Sequence, residues 1–165
     1  MDISFDIRNT EGDQIKVALS YYDSESIQLF SEDPLTLTLV FYDVTLVRES
    51  GDGYVGYPIL SVISDTLAKF LRDNEDAVLC FYCDTQSEVK RSHLNISPQE
   101  YRSLLFSRMY DKYTNAHHLT DFINHRVKMD IDGDPMKSQF AHFICRKEHE
   151  PAVRAIGKLL MEIDK

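Results

Sequence analysis

The sequence predicts a single α+β domain, residues 1–165, on a mixed and largely antiparallel sheet with element order β-β-β-α-β-α-β-β-α. Three observations predict it. Apolar and polar residues alternate over much of the first 47 residues, the apolar spacing lengthens to three and four after Pro58, and a run apolar on both faces begins at Ala77. With 165 residues, 43% of them hydrophobic and 27% charged, the chain is long enough for one core. Folding such a chain buries about two-thirds of its unfolded surface.

Each element has its own signal. Ile3, Phe5 and Ile7 alternate with polar residues, N-T-E-G-D turns the chain, and I-K-V-A-L-S-Y repeats the alternation, so the start reads as a hairpin. The β-branched run L-T-L-T-L-V-F-Y-D-V-T-L-V, from Leu35 to Val47, predicts a third strand. Ile59, Val62, Ile63, Leu67, Phe70 and Leu71 then mark one face of a helix, with Pro58 suited to its first turn. Ala77 to Thr85 reads as a central strand covered on both sides. Ser97-Pro98-Gln99-Glu100 is a capping box that opens a second helix, with Tyr101, Leu105 and Met109 on its expected apolar face. Ile123 to Ile131 and F-A-H-F-I-C-R form two strands around D-G-D-P, and Val153, Ile156, Leu160 and Ile163 predict a final helix.

Charge and cysteines exclude several function classes. The net charge of −9 is uneven: residues 1–50 carry ten acids and three bases, residues 101–165 nine acids and eleven bases. An acidic first half repels a phosphate backbone, which argues against general nucleic-acid binding. No basic start with an apolar stretch behind it and no membrane-length apolar run appears, so the expectation is a cytoplasmic protein. Cys80 and Cys83 form a C-x-x-C, but on a strand residues three apart point to opposite faces. They read as buried structural thiols. No metal site is expected: D-I-D-G-D-P has proline where a calcium loop needs glycine, and His117 and His118 diverge. His125 and His142 lie on neighbouring strands and are placed to meet across the hairpin.

The stretch R-E-S-G-D-G-Y-V-G-Y-P carries Gly51, Gly53 and Gly56 in G-x-G-x-x-G spacing. A dinucleotide fold would need a parallel strand before it, a helix straight after it and an acid about 20 residues on. Here the strand before the glycines reads as part of an antiparallel run, Tyr57-Pro58 separates the last glycine from the helix body, and Asp84, at the end of the next strand, lies well beyond that spacing. R-E-S-G-D-G does resemble the R/Q-x-x-G-x-G/A motif of GNAT-type acetyltransferases, and R-M-Y-D-K-Y resembles their F/L-Y-x-K segment. The strand order is also similar to the core of that superfamily. The resemblance implies a GNAT-like fold and coenzyme A as cofactor. It assigns Arg48, Gly51 and Gly53 to the pyrophosphate and Tyr110 as general acid to the departing thiolate, with Glu49 and Asp43 as candidates for the base. Tyr54 to Tyr57 stand between the glycines and Pro58, and Asp52 puts a negative charge in the loop, so a plain loop is the competing reading.

V-L-C-F-Y-C-D-T, followed by Arg102 and L-L-F-S-R-M-Y, resembles a family of uncharacterised bacterial proteins with a Y-x-C-D-T strand end and a downstream R-x-x-x-F helix. That resemblance implies no activity. It directs attention to Asp84, Thr85 and Arg102, where strand end and helix would meet. Asp84 and Arg102 form either a structural ion pair or part of a polar ligand site. Two functions follow: a GNAT-like domain that binds acyl-CoA or transfers its acyl group, and a non-catalytic module with a protein partner.

Overall fold

A computed structural model describes residues 2–8, 12, 14–21, 38–50, 57–83 and 96–162. Its strands are β1 (Ile3–Arg8), β2 (Gln14–Tyr21), β3 (Val40–Ser50), β4 (Ala77–Cys83), β5 (Phe122–Ile131) and β6 (Asp134–Arg146). Its helices are α1 (Tyr57–Asp73), α2 (Pro98–Ala116) and α3 (Glu150–Glu162). A 3₁₀ turn at Lys147–His149 precedes α3, an element absent from the expected order. The third strand begins at Val40, five residues after its expected start, and runs on to Ser50. Leu35 to Leu37 and Ile163 lie outside the described residues.

The six strands form one sheet in the order β1-β2-β3-β4-β6-β5. Every pair is antiparallel except β3 with β4. This is an α+β fold on a mixed, mostly antiparallel sheet. The β5–β6 hairpin closes on Asp132 and Gly133, both at positive φ (55° and 66°), as a tight Asp-Gly turn requires.

Two βαβ crossings extend the sheet in the same direction, from β3 through α1 to β4 and from β4 through α2 to β5. Such crossings are right-handed almost without exception, which puts both helices on one face. The packing agrees. Ile59, Ile63, Leu67, Phe70 and Leu71 of α1 share a core with Val17, Leu19, Val44, Leu79 and Ile144, against which Phe106 and Tyr110 of α2 also pack. The other face carries Phe41, Val78, Val127 and Phe143 against Ala152, Val153 and Ile156 of α3. There α3 comes very close to β5, since a Cβ on Gly157 would lie 2.9 Å from both His125 Nε2 and Val127 Cγ2. No described helix is long and apolar enough to cross a membrane.

Local chemistry fixes the two helices that frame the site. The Ser97 hydroxyl accepts the Glu100 N–H at 3.1 Å, and Pro98 occupies the first turn of α2. At the other end of α1, Asn74 Nδ2 donates to the Phe70 carbonyl and Arg146 Nη2 donates to the Arg72 carbonyl at 3.1 Å. A cation on terminal carbonyls also complements the helix dipole.

One expectation about α2 is corrected. Its sheet-facing residues are Gln99, Ser103, Phe106 and Tyr110, at helical spacings of four, three and four. Leu105 stays 42% exposed, and Tyr101 and Met109 are only half-buried. Period alone could not reveal this, because the sheet beneath α2 offers carbonyls and an imidazole to Gln99 and Ser103 beside the apolar surface that Phe106 and Tyr110 meet. Val62 of α1 is likewise 46% exposed, although its spacing placed it on the buried face.

Candidate functional site

The parallel pairing of β3 with β4 is brief. It runs from Val40 opposite Ala77 to Asp43 opposite Cys80. Beyond that point β3 follows β2 toward Ser50 while β4 pairs only with β6. The carboxyl ends of parallel strands are where α/β sheets open for ligands. Here the opening leads into a cavity of about 630 Å³ between α1, α2 and the sheet. Its walls are mostly apolar, with Leu67 and Ala68 from α1, Leu105 and Met109 from α2, and Leu79 and Phe81 from β4 among them. The helices are bridged where Tyr113 donates its hydroxyl to Asp65 Oδ1 at 2.6 Å.

Three polar residues singled out from the sequence border this cavity. Arg102 lines it from α2. Asp43 lines it at the last paired residue of β3, with its carboxyl raised above the usual range by burial, against the Thr45 hydrogen bond. Tyr110 also lines it, and its buried hydroxyl has no hydrogen-bond partner among the described residues. Burial, with the nearby Asp111 charge adding to it, pushes the Tyr110 phenol up to about 12. Glu49 is elsewhere: it accepts from Gln14 Nε2 at 2.9 Å and faces Lys16 at 3.8 Å on the β2 surface.

Arg48 lies in β3 opposite Ile15, and its side chain is outside the described residues, as are Gly51, Gly53, Gly56, Asp84 and Thr85. The cysteine reading fares differently. Cys80, Cys83 and Cys145 are buried and form no disulfide. Cys80 joins the α3-side core whereas Cys83 lines the cavity, so the two thiols take opposite faces. Burial raises Cys145 to about 12 and Cys80 well above the ordinary thiol range, so both stay protonated. No group of three or more metal-ligating side chains occurs among the described residues.

A second polar constellation had only one faint sequence signal. His142 pairs across the sheet with Arg126, and His125 with Phe143, so the two histidines face opposite sides of the hairpin and do not meet. His142 instead lies under α2. Its Nδ1 is 3.0 Å from Asn124 Oδ1 and its Nε2 is 2.7 Å from Ser103 Oγ. The amide oxygen can only accept, so Nδ1 carries the proton and Ser103 donates to Nε2. The same serine oxygen accepts Arg126 Nε at 2.7 Å, and the guanidinium rests 4.5 Å over the Phe140 ring. Just above, Gln99 Nε2 donates to the carbonyls of Met136 and Ser138 at 2.8 and 3.0 Å.

Serine, histidine and asparagine in relay order suggest nucleophilic catalysis, but the environment removes the chemistry. Ser103 and His142 are each 0% exposed, so no substrate reaches the hydroxyl. Burial and then the Arg126 charge push His142 down to about 4, too weak a base at neutral pH. Asn124 adds no charge to stabilise an imidazolium. The group is a polar seam that docks α2. A histidine inside the apolar run F-A-H-F-I-C was the one visible hint of it.

No family model matches the chain, and none of the curated proteins matches it in sequence.

Proposed function

We propose that this protein is an acyl-CoA-binding domain with a GNAT-like arrangement of its sheet. The observation that carries the reading is the parting of β3 and β4 after Asp43 and Cys80, directly over the cavity between α1 and α2. A meander, a helix, a strand, a helix and a final hairpin around one parallel pair support the same reading. The cavity falls within the roughly 300–1,000 Å³ range of small-molecule sites and has few polar groups for orientation.

Binding is favoured over acyl transfer. A phenol held at about 12 gives up its proton reluctantly to a thiolate, because the corresponding thiol ionises at about 8.5. Tyr110 is better suited to lining the cavity, since its phenol stays neutral and its hydroxyl is buried. The GNAT resemblance would give Arg48, Gly51 and Gly53 to the pyrophosphate, and Arg102 lines the cavity itself.

Thermal denaturation with coenzyme A esters tests the reading. Ligand at a hundred times its Kd adds about 2.7 kcal/mol, a rise of roughly 5–10 °C for a domain of this size. An unchanged Tm with millimolar acyl-CoA would rule the proposal out and leave the interaction module as the reading to pursue.

A further inference from the structure

We infer that the cavity between α1 and α2 takes a linear aliphatic chain of medium length, so that the preferred ligand is a fatty acyl group of about twelve carbons rather than acetyl. This rests on the acyl-CoA reading for the carrier of the chain, but not for the chain itself.

Three observations lead there. The first is shape. The lining of α1 extends from Leu60 to Leu71, eleven residues on, and a helix rises about 1.5 Å per residue, so the cleft runs for about 16 Å. An extended alkyl chain with bonds of about 1.5 Å advances roughly 1.3 Å per carbon, so about twelve carbons span it.

The second is chemistry. Ile63, Leu67, Ala68, Leu105 and Met109 present aliphatic or thioether surface, and Leu105 remains 42% exposed. A chain between the helices would cover that surface, and apolar cavities of this kind take up apolar ligands.

The third is the frame. α2 is held to β6 by Gln99 and Ser103, and α1 is held to the sheet by its own apolar face. With the Tyr113–Asp65 bridge between them, neither helix is free to fall into the gap. Polar groups lie along one wall of the cleft, where Tyr110 and Arg102 line it from α2.

The test is a calorimetric titration of the whole protein with acetyl-, octanoyl- and lauroyl-CoA, and with free laurate, all below micelle-forming concentrations. Each buried methylene is worth roughly a fourfold gain in affinity, so lauroyl-CoA should bind on the order of a hundredfold or more tighter than acetyl-CoA. Ala68→Phe, which fills the α1 wall, should weaken lauroyl-CoA roughly tenfold or more and leave acetyl-CoA nearly unchanged. Should that variant fail to fold by circular dichroism, Ser64→Leu on the same wall gives the same readout.

Equal affinities for acetyl- and lauroyl-CoA would overturn the chain inference and leave the acyl-CoA reading standing. Tight binding of laurate without binding of any coenzyme A ester would do the reverse. Lauroyl-CoA affinity unmoved by the folded cavity-filling variant would place the chain elsewhere and overturn the inference. Absence of binding by all four ligands would overturn both.

Discussion

Two regions that share helix α2 are built to opposite standards. Beneath the helix, the sealed pair Ser103 and His142 joins half-buried Asn124 and Arg126 in a seam with bonds of 2.7 to 3.0 Å. Beside it lies an apolar cavity of about 630 Å³. The seam sets one position for the helix, since a buried polar group that loses its partner keeps its full desolvation cost. The cavity has no such constraint, because dispersion contacts are individually weak and indifferent to exact register. The difference teaches that α2 is held over the sheet by Gln99, Ser103, Phe106 and Tyr110 and leaves Leu105 and Met109 on the cavity wall. A ligand site between helices needs that division.

The largest expected effect comes from breaking the seam. Ser103→Ala leaves the Arg126 Nε–H and the His142 Nε2 without their shared partner, and should cost about 3 kcal/mol in urea denaturation. A loss below about 1 kcal/mol would mean the seam does not position α2.

The seam also has a pH signature of similar size. His142 is held at about 4 in the folded protein, against about 6.5 in an unfolded chain. With the folded value lowered, the unfolded state takes up the proton first. Stability is therefore complete above pH about 6.5, falls by about 3 kcal/mol as pH drops to about 4, and levels off below that. His125, also lowered by burial, adds to the slope in the same direction. The difference between the native protein and His142→Gln, followed across pH 4–7, isolates the seam. Parallel curves would refute it.

Filling the cavity should act with the opposite sign. Ala68→Phe adds apolar volume where there is room and should stabilise the protein without ligand by about 1 kcal/mol. A destabilised but folded variant would show that the space is smaller than the structure indicates. The smallest effect belongs to the bridge. Tyr113→Phe removes one exposed hydrogen bond to Asp65 and should cost about 0.5–1 kcal/mol in the same denaturation series. A cost well above that would mean the bridge supports both helices.

Much of the fold was legible, and the site was legible only in part. The alternation of Ile3, Phe5 and Ile7, the helical spacing of Ile59, Ile63 and Leu67, and the Ser97-Pro98 start of α2 all appear where their local chemistry puts them. These signals are short-range: a side chain's period or cap needs only its own neighbours. Tyr110 and Arg102 were both singled out from motifs, and both line the cavity. The seam was nearly invisible because its members are separated by up to 39 residues and only His142, inside an apolar run, is unusual by itself. Leu105 and Met109 were assigned to a buried face for the same reason, since an apolar stripe shows that something covers it without showing what.

The sequence by itself determined the class and most of the elements, because propensity, capping and alternation act over one or two turns of chain. Only the tertiary structure decided which face of α2 docks and where β3 leaves β4. It also decided that His125 and His142 point to opposite sides of the sheet. Those outcomes depend on the register between strands and on which polar groups a neighbouring element offers. Both are set by contacts between residues far apart in the chain.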